Sequence, residues 1–146
     1  MAPTPQVFTL EAVNEMLPRL SMLVRRQLAR RTDIESLLNQ LGELTGDVPD
    51  EISPDDDDSD ELRALKRDLV ARIDTYQDGW REVEAMGAVL KDPRVGLLDF
   101  YGRVDDKLVW LCWKYGEEEV THYHALDEGF GGRKPIGQSV RLRLLN

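Results

Sequence analysis

Leu97-Leu98-Asp99-Phe100-Tyr101-Gly102-Arg103-Val104-Asp105-Asp106-Lys107-Leu108-Val109-Trp110-Leu111-Cys112-Trp113 reads as two strands around a two-residue break. A break as short as Asp105-Asp106 joins antiparallel neighbours. The second half, Leu108–Trp113, is apolar on both faces, which marks a central strand covered on both sides. Helices supply one cover. The other has to come from a dimer partner or from the C-terminal segment folding back. Working outward, Glu117–His124 follows Lys114-Tyr115-Gly116 as the next strand, and Ala88–Leu90, closed by Asp92-Pro93, precedes as a short one. Val140–Leu144 alternates apolar and basic residues and reads as a last edge strand.

Upstream of Gly87 the apolar period is helical. Val13, Met16, Leu20, Leu23, Gln27, Arg30, Ile34, Leu37, Leu41 and Leu44 fall on a seven-residue repeat in which eight of ten positions are apolar. Such a repeat predicts a helix of about 35 residues. Thr9 is placed to cap it, with Phe8 and Val13 at the two hydrophobic-staple positions. Pro18 should kink the helix, and Gln27 and Arg30 interrupt its stripe. Leu62, Leu65, Leu69, Ile73, Tyr76, Trp80 and Val83 give a second helix that starts at Ser59 or Asp60 and stops at Gly87. The expectation is an α+β chain forming one domain over 1–146: a long antiparallel helical hairpin over about 9–87, followed by a small antiparallel β-meander over about 88–146.

The connector, about residues 45–59, is rich in Pro and Asp and reads as a solvated, mobile loop. Its four consecutive aspartates, Asp55–Asp58, lack the spaced ligands and turn glycine of a calcium loop. The formal net charge is −9, yet residues 43–61 hold ten acids and no base. The remainder carries 18 acids against 19 bases and is close to neutral. That balance disfavours a nucleic-acid partner, despite the cluster Arg25, Arg26, Arg30 and Arg31. No apolar run is long enough to span a bilayer, so a membrane partner is not expected. One cysteine, Cys112, excludes an internal disulfide and argues against a cysteine zinc site within one chain, and the opening residues lack a secretory pattern, so the cytoplasm is the default compartment.

The polar residues able to carry chemistry lie in and after the strands. His122 and His124 share a strand face, the spacing at which two imidazoles hold a divalent metal such as zinc once a carboxylate completes the set. Asp99 or Glu117 can supply it. The same histidines serve equally as hydrogen-bonded rim residues. Gly129-Phe130-Gly131-Gly132-Arg133, with Asp127, offers backbone N–H groups and a guanidinium to an anion, or simply makes a turn beside an ion pair of Arg133 with Asp99, Glu117 or Asp127. Cys112, between two tryptophans, reads as inert packing. Pairing it with His124 as a nucleophile is disfavoured because burial raises a thiol pKa.

The runs Lys91-Asp92, Gly96-Leu97-Leu98-Asp99-Phe100, Leu111-Cys112-Trp113-Lys114-Tyr115-Gly116-Glu117, Tyr123-His124 and Asp127-Glu128-Gly129-Phe130-Gly131-Gly132-Arg133 resemble an uncharacterised bacterial family, domain of unknown function 2203. The opening Phe8–Asn14 with Leu17-Pro18 resembles that family's start. Tyr123 stands where the family usually shows Trp, a conservative departure. The resemblance implies no activity. It does single out Asp99, Glu117, His124, Asp127 and Arg133 and leaves His122 outside the motif, so a metal set of Asp99, Glu117 and His124 is preferred over the His-x-His pair. Two functional expectations follow. The first is a non-catalytic module that self-associates, as a homodimer, and binds a protein partner. The alternative is a metal- or anion-dependent site built from Asp99, Glu117, His124 and Arg133, with anion contacts from Asp127, Gly131 and Gly132 and acid–base chemistry at His124 if a substrate reaches it.

Overall fold

The computed structural model describes residues 5–144. Its elements run α1 (Leu10–Thr45), α2 (Asp60–Ala85), β1 (Val89–Asp92), β2 (Leu97–Val104), β3 (Lys107–Lys114), β4 (His122–Ala125), a 3-10 turn (Phe130–Gly132), β5 (Lys134–Pro135) and α3 (Gln138–Arg143). The class is α+β, with a long helical hairpin followed by an antiparallel meander. Two compact units form, Met1–Arg25 with Val83–Asn146, and Arg26–Glu82. The division cuts through both long helices, so each unit contains part of α1 and part of α2. Among the described residues no helix is long and apolar enough to cross a membrane.

In the strand-bearing unit the sheet order is β1-β2-β3-β4-β5, every pairing antiparallel. The two-residue break between β2 and β3 sets the register: Val104 faces Lys107, and the ladder carries Asp99 opposite Cys112. Asp105 takes the positive φ of 54° that the tight turn demands, a conformation aspartate tolerates better than most residues. Leu98, Phe100, Leu111 and Trp113 share one sheet face and are fully buried. Phe8 meets Phe100 edge-on at 5.6 Å between ring centroids. Thr9 caps α1 by accepting the Ala12 N–H at 3.0 Å, and Phe8 and Val13 are both buried, as the staple requires. α1 continues as a helix through Pro18. Its flanking residues Leu17 and Leu20 are core residues and hold it there.

Three segments differ from the sequence expectation. Only His122–Ala125 of the expected strand Glu117–His124 is extended; residues 116–121 form a turn. Gly116, at φ 103°, starts that turn, and Glu117 closes it by accepting the Lys114 N–H at 2.7 Å. The Val120 N–H is taken by Asn14 Oδ1 of α1 at 2.8 Å, which removes it from any ladder. Val140–Leu144 is not an edge strand: Gln138–Arg143 is helix α3, and Leu144 alone bridges Val104. Leu142 is 77% exposed while Leu144 is buried, so the alternating residues do not share one buried face. β5, a two-residue strand, was not foreseen.

In the second unit, Arg26–Thr45 and Asp60–Glu82 pack antiparallel around Ile34, Leu41 and Leu69. Gln27 does not break the stripe; it is buried, donating to the Tyr76 carbonyl at 2.6 Å and accepting from Arg30 at 2.7 Å. The connector is exposed but tied down. Ile52 packs against the hairpin core. Arg63 donates to the carbonyls of Asp55, Asp56 and Asp58, and Lys66 pairs with the Asp58 carboxylate at 2.9 Å. The expectation of a loop without buried apolar area therefore fails at Ile52, and the first turns of α2 organise residues 55–58.

Candidate metal centre

The second face of the sheet carries the polar cluster. By register Asp99 lies opposite Cys112, and His124 lies opposite Trp110, one step along the same face. Side chains of paired residues project to the same side, so β2, β3 and β4 each send one donor to a common point. The donor atoms of Asp99, Cys112 and His124 all lie within 4.8 Å of one another. All three residues are 2% exposed or less. Zinc–ligand distances of roughly 2.0–2.3 Å place neighbouring donors of a tetrahedral site about 3.5 Å apart, so small side-chain shifts would seat an ion here.

His124 is oriented by its other nitrogen. Nδ1 faces the Ala125 carbonyl at 3.0 Å and must donate to it, while Nε2 meets Asp99 Oδ2 at 2.9 Å. Ala125 is itself fixed, because its carbonyl accepts the Glu128 N–H and its N–H donates to Glu128 Oε1, each at 3.0 Å. Burial raises the Asp99 pKa; the His124 charge and the neighbouring thiol and Lys91 partly offset that rise. Asp99 Oδ1 is buried without a hydrogen-bond partner among the described residues. The Cys112 thiol is pushed up to about 12, first by burial and then by the Asp99 charge, so it is protonated at neutral pH.

Glu117 does not join this cluster. Its carboxylate accepts the Lys114 N–H through Oε1 and pairs with Arg133 Nη2 through Oε2 at 2.9 Å. Arg133 also lies over the Phe130 ring, 4.7 Å from its centroid. The N–H groups of Gly132 and Arg133 are used in turn hydrogen bonds to Gly129 and Phe130, and Asp127 is exposed. His122 faces Cys112 by register but directs Nδ1 to Thr121 Oγ1 at 2.8 Å. The structure thus brings Asp99 and His124 together, adds Cys112, and puts Glu117 and Arg133 in a separate ion pair. The sequence contained the signal for Cys112: once Asp105-Asp106 is the turn, counting back along both strands sets residue 112 against residue 99.

On this face Tyr101 and Lys91 each lie 4.1 Å from the Trp110 ring, and the loop Leu126–Arg133 approaches at its margins. Trp110 Nε1 donates to the Leu126 carbonyl at 3.4 Å, and the Lys114 ammonium sits over the Phe130 ring. No curated protein and no solved structure matches the chain. A family model does match, over residues 6–136, described as an uncharacterized conserved protein. Covering the β2–β4 cluster and the loop that follows it, that match shows that the chain belongs to the DUF2203 family.

Proposed function

We propose that the protein binds a divalent transition metal, zinc by donor type, through Asp99, Cys112 and His124. The observation that carries this reading is the aim of His124: its Nδ1–H is held by a backbone carbonyl, leaving Nε2 directed at a carboxylate and a thiol from two other strands. Metal-binding imidazoles are held in this way, with the second nitrogen fixed by an outer hydrogen bond. The mixed nitrogen, sulfur and oxygen set suits zinc. Asp99 Oδ1, buried and unpaired, is a lone pair that an ion would satisfy. Burial of all three donors favours a structural ion over one that turns over substrate, since catalytic zinc keeps an open position. Elemental analysis of untagged protein tests this. The expected outcome is one zinc per chain, lost in an Asp99→Ala, His124→Ala double variant, and a thiolate-to-metal absorption on cobalt substitution that vanishes in Cys112→Ser. Metal-free protein that takes up no zinc or cobalt on soaking would reduce the cluster to a hydrogen-bonded network.

A second reading, self-association without catalysis, is supported by the hairpin unit. Ile34, Leu38, Ile73 and Tyr76 line a groove between its helices, rimmed by Arg31, Glu35 and Gln77. Two helices cannot enclose their own core, and Leu37, Leu38, Leu62, Leu65 and Ile73 stay only half-buried. A second copy of this hairpin would complete a four-helix layer, and its balanced Arg31 and Glu35 suit a like partner. Sedimentation as a strict monomer at every concentration would end this reading.

A further inference from the structure

Cys112 sits on the covered sheet face between Trp110 and Lys114, its neighbours two residues away on either side. The segment Leu126–Arg133 touches both neighbours, through the Leu126 carbonyl on Trp110 and the Phe130 ring under Lys114. The Cys112 thiol lies between those two contacts, has no exposed surface, and feels the charges of Arg133 and Glu117. Its two ends are held differently. At the start, Ala125 and Glu128 exchange two hydrogen bonds of 3.0 Å. At the end, β5 pairs with β4 immediately after Arg133, the Ile136 N–H donates to the Thr121 carbonyl, and the Arg133–Glu117 ion pair adds a fastening. The middle is loosely packed: Gly129 and Gly131 have nothing within 4 Å of where a Cβ would sit, and Phe130 is 43% exposed. The closed state is also imperfectly satisfied, because Arg133 Nε is buried without a partner.

We infer that Leu126–Arg133, the loop joining β4 and β5, is a door over the Asp99–Cys112–His124 centre that pivots on those two strands and is latched by Glu117–Arg133. Half-exposed Leu126 and Phe130, exposed Gly129 and Gly131, and one ion pair as the strongest fastening are the features of a segment that opens locally, below the free energy of global unfolding. An ion reaches the buried donors when the latch parts, and the same opening exposes the thiol. The purpose assigned to the door rests on the metal reading; the opening itself does not.

The test is the rate at which Cys112, the sole cysteine, reacts with a disulfide reagent such as Ellman's reagent, in metal-free protein, across sub-denaturing urea. Wild type is expected to react slowly, with a urea dependence much shallower than that of global unfolding. Glu117→Gln and Arg133→Gln are expected to speed the reaction about tenfold or more while keeping the shallow dependence, as the loss of one charge-assisted fastening implies. Labelling that follows the full urea dependence of global unfolding, in wild type or in the variants, would overturn the door, and so would a rate unchanged by both substitutions. If metal analysis finds no ion, these rates still decide whether the segment opens. If an ion is bound but the rates do not change, the site stands and the door falls.

Discussion

At the scale of single residues, the Asp99–His124 pair is the costliest feature of the sheet. Both side chains are 2% exposed, and their attraction has to offset two lost hydration shells. Removing one partner strands the other. His124→Leu is expected to lower the stability of metal-free protein by about 3–5 kcal/mol in urea unfolding. Adding Asp99→Asn to it should recover part of that loss, because the stranded group is then neutral. A double variant worse than the sum of its parts would mean that Asp99 stabilises the sheet through contacts other than His124. Cys112 belongs to the same account. A thiol that ionises only near 12 is a poor nucleophile at neutral pH. On the metal reading proposed above, a bound ion would supply the charge needed to deprotonate it.

At the scale of elements, close approach decides which residues the helices tolerate. Gly79 of α2 faces Gln27 of α1 so closely that a Cβ would lie 2.1 Å from the Gln27 side-chain oxygen and 2.8 Å from an Arg30 nitrogen. Gln27 cannot swing aside without giving up the Tyr76 carbonyl. Gly79→Ala is therefore expected to destabilise by about 1–3 kcal/mol, even though alanine is the better helix former by about 1 kcal/mol. A rise in melting temperature would show that the two helices separate at no cost. This contact also explains what the sequence revealed and what it concealed. The apolar repeat placed α1 and α2 well, because burial along a helix face is written in residue type. Gln27 looked like a defect, since its satisfaction depends on a carbonyl 49 positions away. The register of β2 on β3 was legible from the Asp105-Asp106 turn. The shortening of β4 was not, because it depends on Asn14 reaching Val120 across 106 positions. Glu117 was misplaced for the same kind of reason: its type suits a metal, but the turn at Gly116 directs it to Arg133.

At the scale of the whole molecule, charge and apolar surface are distributed unevenly. The ten acids of residues 43–61 account for the net charge, and the first turns of α2 draw Asp58 in through Arg63 and Lys66. The self-association reading rests on the hairpin groove. If two copies meet there, Leu38→Glu should shift the sedimentation equilibrium to monomer at concentrations where wild type is dimeric, with zinc content unchanged. The two functional readings are thus separable, one resting on the sheet cluster and the other on the hairpin.

The outer edge of β2 has a meaning beyond the cluster it helps to build. β1 pairs with it only as far as Asp99, Val7 bridges it at Tyr101, and Leu144 bridges it at Val104. Three pieces of chain, two of them distant in sequence, share one row of backbone donors and acceptors. An open row beside Phe100 would be a template on which a foreign strand could grow, the first step toward amyloid-like stacking. Val7 and Leu144 deny that template, so the chain's flanking segments guard solubility as much as they add to the fold.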